Sequence, residues 1–277
     1  MLGGGGVAGI AWMTGLLLGL AETGTDLRSA GMLIGTSAGA TVAAQIASPI
    51  ALDVLFRKQV DPDQQVAELT PEPHILELIG NMFPVLLKLA DPPERTRRIG
   101  TLATQATTVE QSERRKVIAA RLPSHEWPDR GLRIVAVDAA TGESRIFDRF
   151  SGVNLVDAVS ASCAVPGIWP PVMIKGARYM DGGLRSSDNA DLASGAEIVV
   201  VISPLGIGGL SLPGSLDLSF QVAALERNGA RVRLVEPDAG ARQAIGSNPL
   251  SPVTRALAAH AGRTQGRELT AAMADFL

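Results

Sequence analysis

The chain has 277 residues, 46% hydrophobic and 19% charged, so it is long and apolar enough for one large globular domain. Its formal net charge of −3 gives no field that would attract a nucleic acid, and we expect no such partner. Cys163 is the only cysteine, which excludes an internal disulfide and a cysteine-based zinc site and makes a reducing cytoplasm the expected compartment.

Four consecutive glycines, Gly3 to Gly6, open the chain and precede an apolar stretch over residues 7–22. A glycine-rich turn that opens a helix offers backbone N–H groups to an anion. The stretch is too short and too rich in glycine for a membrane span of about 20 residues, and no basic residue precedes it as in a secretory signal. We therefore expect a buried helix packed under a sheet.

A strand normally leads into a glycine-rich loop of this kind, yet only Met1 and Leu2 precede the glycines. We expect the first strand to be missing, to be supplied by another segment, or to be lost through a misassigned start. The position of this loop at the edge of the fold is therefore open.

The segment Gly35-Thr36-Ser37-Ala38-Gly39 follows a short apolar stretch and precedes an alanine-rich one. These patterns predict a strand over residues 31–35 and a helix over residues 38–47. A Gly-x-Ser-x-Gly turn between a strand and a helix presents a nucleophilic hydroxyl, here that of Ser37. Beside an anion-binding loop, it is the minimum equipment for acyl transfer.

Residues 48–129 have several prolines and helical periodicity but no clear strand, which predicts an inserted helical cap. Two basic groups occur within it. We interpret them as a solvated helix face rather than a contact with anionic lipid. They are Arg95, Arg97 and Arg98, and then Arg114, Arg115 and Lys116.

The second half of the chain has the patterns of strands and of a helical tail. Residues 132–138 and 144–148 predict a hairpin, residues 197–202 a strand buried on both faces, and residues 231–235 a further strand after a helix. Residues 253–276 predict the helical tail. The alternation of elements predicts a single α/β domain.

Asp181 is better placed than any histidine to act as the base for the serine, although Asp-Gly-Gly by itself predicts no more than a plain turn. It stands at the end of a predicted strand, directly before Gly182 and Gly183, where a tight turn is expected. A serine hydroxyl is a poor nucleophile until a base takes its proton. A carboxylate that is hydrogen-bonded to Ser37 and shielded from water can act as that base.

A histidine triad is the alternative, because the order Ser37, Asp181, His260 is formally available. The other two histidines, His74 and His125, lie in the predicted cap. None of the three stands at a strand-to-loop turn, where triad histidines are usually presented.

A dinucleotide site is the competing interpretation of the glycine loop, because Gly4, Gly6 and Gly9 satisfy the fingerprint and Asp26 follows. The fingerprint lacks its preceding strand, and Asp26 comes before the strand at residue 31 instead of ending it. A phosphate-binding P-loop is excluded because no Gly-Lys-Ser/Thr occurs. We therefore favour an oxyanion hole.

The glycine loop, the Gly-x-Ser-x-Gly turn and Asp-Gly-Gly, in that order, resemble the patatin-like phospholipase family. Three further stretches support the resemblance, which spans roughly residues 3–204 and is similar to the short bacterial members. They are residues 160–166 (Ser-Ala-Ser-Cys-Ala-Val-Pro), residues 189–193 (Asn-Ala-Asp-Leu-Ala) and the strand leading to Pro204.

The resemblance implies an α/β/α three-layer fold with a mostly parallel central sheet and a helical cap insertion. It implies a lipid acyl hydrolase of the phospholipase A type, with Ser37 as nucleophile, Asp181 as general base, and Gly35, Gly39, Gly182 and Gly183 as motif support. Backbone N–H groups of Gly4, Gly5 and Gly6 would form the oxyanion hole. Met82, Phe83 and Leu86 would form part of the wall of the acyl groove.

The implied substrate is a phospholipid, a glycerolipid or a small acyl ester, with no cofactor and no metal. The implied compartment is cytoplasmic, and any contact with a membrane is expected to be peripheral. The chain departs from the family at Ala8, where family loops commonly have Arg or Lys. A catalytically weak scaffold or a lipid-binding regulator is therefore the alternative function, and an α/β-hydrolase with a histidine triad is a third.

Overall fold

The computed structural model describes residues 1–69, 91–207 and 216–277. Within these ranges it contains ten α-helices: α1 (Gly6–Glu22), α2 (Ala38–Ala47), α3 (Leu52–Val60), α4 (Pro92–Gln105), α5 (Gln111–Arg121), α6 (Leu155–Ser162), α7 (Leu218–Arg227), α8 (Ala239–Ile245), α9 (Arg255–Glu268) and α10 (Thr270–Ala274). The same ranges contain seven strands: β1 (Met32–Thr36), β2 (Gly131–Asp138), β3 (Ser144–Phe147), β4 (Val172–Ile174), β5 (Ala177–Asp181), β6 (Ile198–Ile202) and β7 (Arg231–Val235).

Parallel strands form the centre of the sheet. β1 pairs with β2 and β6 pairs with β7, both in parallel, and Leu2 bridges Gly35 of β1 and Ile202 of β6 in the same direction. Antiparallel strands complete the sheet: β3 pairs with one edge of β2, β5 pairs with the other edge directly beyond the end of β1, and β4 pairs with β5. The predicted α/β class, the mostly parallel centre and the β2–β3 hairpin are confirmed.

Residues 1–3 take the place of the expected first strand. The Leu2 N–H donates to Ile34 O (2.9 Å), and the Thr36 N–H donates to Leu2 O (3.0 Å). On the other side, the Gly3 N–H donates to Ile202 O (2.9 Å). These bonds join the two halves of the sheet and anchor the glycine loop. Met1 and residues of β1 and β6 line an open groove of about 600 Å³.

Helices cover both faces of the sheet, as a three-layer fold requires. Because successive strand residues point to opposite faces, Ile202 packs into the main core with α1 and α2, whereas Val199 and Val201 pack against Leu218 and Leu225 of α7. A third cluster on β2 joins Val137 to Ile99 of α4.

The described part of the predicted cap is helical and contains no strand. Its helices pack into the helical layers of the fold, since α3 packs against α1 and α9. Gly100 of α4 lies so close to Ala139 that an added Cβ would be 1.9 Å from Ala139 O. Helical character is confirmed over the described residues of this region.

The helix α1 is buried along nearly its whole length, as predicted, and packs closely alongside α9. A Cβ on Gly15 would lie 2.0 Å from Ala259 O, and a Cβ on Gly262 would lie 2.1 Å from Trp12 O. Glycine is therefore required on both helices where their backbones meet. Within the described ranges, no helix combines the length and the hydropathy that a bilayer crossing needs.

Candidate active site

Ser37 lies on a sharp turn between β1 and α2. Its backbone has φ +54° and ψ −117°, a region that costs a non-glycine residue about 1–3 kcal/mol. The flanking glycines allow the turn: a Cβ on Gly35 would lie 2.5 Å from Gly39 O, and a Cβ on Gly39 would lie 1.9 Å from Leu2 O. The strained turn places the hydroxyl at the N-terminus of α2, where the helix dipole favours negative charge.

Asp181 ends β5 and accepts the Ser37 hydroxyl. The distance from Ser37 Oγ to Asp181 Oδ2 is 2.7 Å, and the Gly183 N–H donates to Asp181 Oδ1 (2.8 Å). Burial raises the pKa of Asp181 to about 6, although both hydrogen bonds favour the ionised form. A carboxylate with this pKa is mostly ionised at pH 7 and is still basic enough to accept a proton.

Close packing holds the two turns together. A Cβ on Gly182 would lie 2.4 Å from Val135 O in β2, next to the strand that carries Ser37. The Asp181 N–H donates to Ala164 O (3.0 Å). The positions of Ser37 and Asp181 are therefore set by β1 and β5, which both pair with β2, Thr36 opposite Val135 and Asp181 opposite Ala136.

Ser162 and Cys163, at the C-terminal end of α6, hold the backbone of the serine turn in place. The Ser37 N–H donates to Ser162 Oγ (2.9 Å), which in turn donates to Val135 O (2.5 Å). Cys163 Sγ donates to Ser37 O (3.1 Å), and burial raises the pKa of this thiol to about 11. In the sequence, both residues stand in a family motif that assigns them no role. The sequence nevertheless indicates a supporting role, because polar side chains at the end of an apolar helix need hydrogen-bond partners.

Asn189 links the segments that carry the two residues. Its Nδ2 donates to Thr36 Oγ1 (3.0 Å), to Gly182 O (3.3 Å) and to Ser186 O (2.7 Å). The residue is fully buried and adopts the left-handed conformation with φ +51°, which asparagine tolerates well. It is a positioning residue. In the sequence it is found only as part of a motif, and its role is not indicated there.

The glycine loop lies over the serine turn. A Cβ on Gly4 would be 3.7 Å from the Ser37 Cβ, and Gly5 is the N-cap of α1. The Gly4 N–H donates to Ser187 O (2.8 Å), so it holds the loop in place. The N–H groups of Gly5 and Gly6 belong to the first turn of α1, where no intrahelical acceptor exists, and no acceptor is assigned to them within the described residues.

Neither described histidine contacts the serine or the aspartate. His125 Nε2 lies 3.0 Å from Ala119 O, and His260 packs edge-on against Phe56 with the ring centroids 5.4 Å apart. Both histidines are exposed. His74 and the predicted groove residues Met82, Phe83 and Leu86 lie outside the described residues.

A small cavity of about 30 Å³ joins Ser37 to a buried charged cluster. It is lined by Glu68, Arg114 and Trp169, among others. The prediction of a solvated basic face is wrong for Arg95 and Arg114, which are only 8% and 7% exposed. A helical period alone does not tell which basic residues meet a buried partner in the fold.

The sequence of this chain matches a known family of proteins. The model of the patatin-like phospholipase family matches residues 1–194, which is more than half of the chain. The chain therefore belongs to the patatin-like phospholipase family.

One solved structure similar to this chain is the crystal structure of VipD from Legionella pneumophila. It matches 97% of this chain at 16% sequence identity, with a TM-score of 0.49. This chain spans 66% of the length of that one. No curated protein gives a significant match.

Proposed function

We propose that the protein is a serine acyl-ester hydrolase that acts on lipid acyl esters through Ser37 and Asp181. The observation that carries this proposal is the 2.7 Å hydrogen bond from Ser37 Oγ to a buried carboxylate. The pKa of about 6 for Asp181 fits a general base at neutral pH. The family match supports the lipid class of substrate.

The reaction proceeds through an acyl-enzyme. Ser37 Oγ attacks the ester carbonyl carbon while its proton passes to Asp181 Oδ2. The N–H groups of Gly5 and Gly6, at the N-terminus of α1, stabilise the oxyanion. The ester C–O bond then breaks, and the proton on Asp181 goes to the leaving alcohol.

A water molecule completes the cycle. It gives a proton to Asp181 and attacks the acyl carbonyl carbon, and the new oxyanion occupies the same N–H groups. The bond to Ser37 Oγ breaks, the fatty acid leaves, and the proton returns from Asp181 to Ser37. Both steps use the same pair of residues, so removal of either one should stop turnover.

Hydrolysis of p-nitrophenyl butyrate tests the proposal. We expect Ser37→Ala to lower kcat by about 10³-fold or more, and Asp181→Asn by roughly 10³–10⁴-fold, because nucleophile and base act as a unit. Ser48→Ala, at the other end of α2, and Asp157→Asn, a half-exposed partner of Arg115, are the matched controls. Activity that survives Ser37→Ala would refute the proposal.

A lipid-binding regulator with weak catalysis is the second candidate. Ala8 leaves the loop without the cation that family loops commonly have, and the cavity beside Ser37, at about 30 Å³, holds no more than one or two water molecules. Wild-type protein that binds phospholipid vesicles but hydrolyses neither p-nitrophenyl esters nor those lipids would favour this function.

A further inference from the structure

Three arginines converge on one carboxylate beside the serine. Arg255 Nη2 lies 2.6 Å from Glu68 Oε1, and Arg121 Nε donates to the same oxygen at 3.1 Å. Arg121 Nη2 contacts Glu68 Oε2, and Arg114 Nη1 lies 3.8 Å from that atom. All four side chains are between 4% and 8% exposed.

The cluster has more positive than negative charge. Three guanidinium groups meet Glu68, and no other carboxylate of the described residues forms an ion pair with them. Arg114 Nε and Nη1 are buried without a hydrogen-bond acceptor, and its guanidinium stacks on Trp169 at 3.9 Å. Buried charge without a full set of partners is costly, so the cluster favours a further anion.

Glu68 and Arg121 line two small cavities. The one that includes Ser37 and Arg114 has about 30 Å³, and the one that includes Gln45 and Arg255 has about 20 Å³. Neither accommodates more than one or two water molecules. Among the described residues, neither cavity has room for a phosphate beside Glu68, so a bound phosphate would take the place that the carboxylate of Glu68 now occupies.

The chemistry of the donors indicates which anion. A guanidinium group offers paired N–H donors that match the oxygens of a phosphate, and three such groups around one point suit a doubly charged tetrahedral anion better than a single carboxylate. Arg114 also restores positive charge near the serine, which the glycine loop lacks at Ala8.

We propose that Arg114, Arg121 and Arg255 form a phosphate subsite beside Ser37, in which Glu68 occupies the place of the anion until a phosphate displaces it. This inference rests on the proposed function, since the phosphate is taken to be part of the ester substrate. The subsite selects acyl esters that carry a phosphate group near the scissile bond over neutral esters with the same acyl chain.

A matched pair of substrates tests the selection: a monoacylglycerol and the corresponding monoacylglycerol 3-phosphate. For the wild type we expect kcat/KM to be at least about tenfold higher on the phosphate ester, as one charge-assisted contact provides. Arg114→Gln should lower the ratio of the two kcat/KM values by about tenfold, and Arg114→Lys should lower it less. Glu68→Gln should lower KM for the phosphate ester. Arg115→Gln, one residue further along α5 and paired with Asp157, should leave the ratio unchanged.

Equal kcat/KM on both esters in the wild type, or a ratio that Arg114→Gln leaves unchanged, would overturn the subsite. Thermal melts identify variants that fail to fold. If Arg114→Gln is one of them, the ratio of the two kcat/KM values in Arg114→Lys decides whether the subsite exists. If the wild type hydrolyses neither ester, the proposed function fails, and inorganic phosphate then tests the subsite alone. A rise in Tm with phosphate at constant ionic strength, larger in Glu68→Gln and lost in Arg114→Gln, supports it. A Tm that phosphate leaves unchanged contradicts it.

Discussion

Asp181 combines three properties that a general base for serine needs: contact with the hydroxyl, shielding from water, and a pKa near neutrality. Burial is the largest cause of its raised pKa, and the hydrogen bonds from Ser37 and Gly183 oppose it. The balance keeps the carboxylate mostly ionised at pH 7. It also makes two consequences of its protonation measurable.

The first consequence is a pH dependence of hydrolysis. Because Asp181 must be ionised to accept the serine proton, kcat/KM should rise with pH, reach half of its plateau near pH 6 and fall about tenfold per unit well below that. Steady-state rates on p-nitrophenyl butyrate between pH 4.5 and 8 provide the measurement. Asp157→Asn should keep the profile. A midpoint near pH 4 would mean that the base is an unperturbed carboxylate.

The second consequence concerns stability. The folded-state pKa of Asp181, about 6, is above the ordinary value of 3.8, so the contribution of this residue to stability is fully present below pH 3.8 and is lost as pH rises through 6. Asp181→Asn should therefore raise the free energy of unfolding at pH 7.5 by about 2–3 kcal/mol. The gain should shrink towards pH 4.5. Urea unfolding of variant and wild type at both pH values provides the measurement, and a destabilised variant at pH 7.5 would contradict it.

At the scale of elements, short connections position the site more than the helices themselves do. Residues 1–3 join β1 to β6, the loop that carries Asn189 ties β1 to the turn after β5, and the end of α6 supports the serine turn. The main structural task of α1 is different. It packs its glycines against α9 and so places its N-terminus over Ser37.

This packing predicts a selective cost at Gly19. A Cβ there would lie 2.2 Å from Arg263 O, a backbone atom that cannot move without its helix. Gly19→Ala should lower the free energy of unfolding by roughly 1–3 kcal/mol, as overpacking does, despite the better helix propensity of alanine. Gly31→Ala is the control, because no atom lies within 4 Å of its Cβ. Equal effects of the two substitutions in urea unfolding would contradict the account of the α1–α9 contact.

At the scale of the whole molecule, the sequence predicts what depends on local pattern. The apolar stretch of β1, the β-branched run of β6 and the elbow at Ser37 each have a pattern within a few residues, and the structure has these elements where they are predicted. The contact of Ser37 with Asp181 joins residues 144 positions apart and is inferred through a family resemblance.

Other features depend on tertiary contacts without a local pattern. The three arginines around Glu68 come from two helices, and in the sequence Arg114 looks like any basic residue of a surface helix. The bridge of Leu2 between two strands needs both strands to be in place first. Sequence periodicity contains neither kind of information, because it describes one segment at a time.

Covalent labelling of the serine tests the central claim most directly. Wild-type protein is treated with a fluorophosphonate probe, digested and mapped by mass spectrometry, alongside Ser37→Ala and Asp181→Asn. We expect one adduct, on Ser37, formed much more slowly in Asp181→Asn and absent from Ser37→Ala. A wild-type protein that stays unlabelled at Ser37, or an adduct that persists in Ser37→Ala, would contradict it.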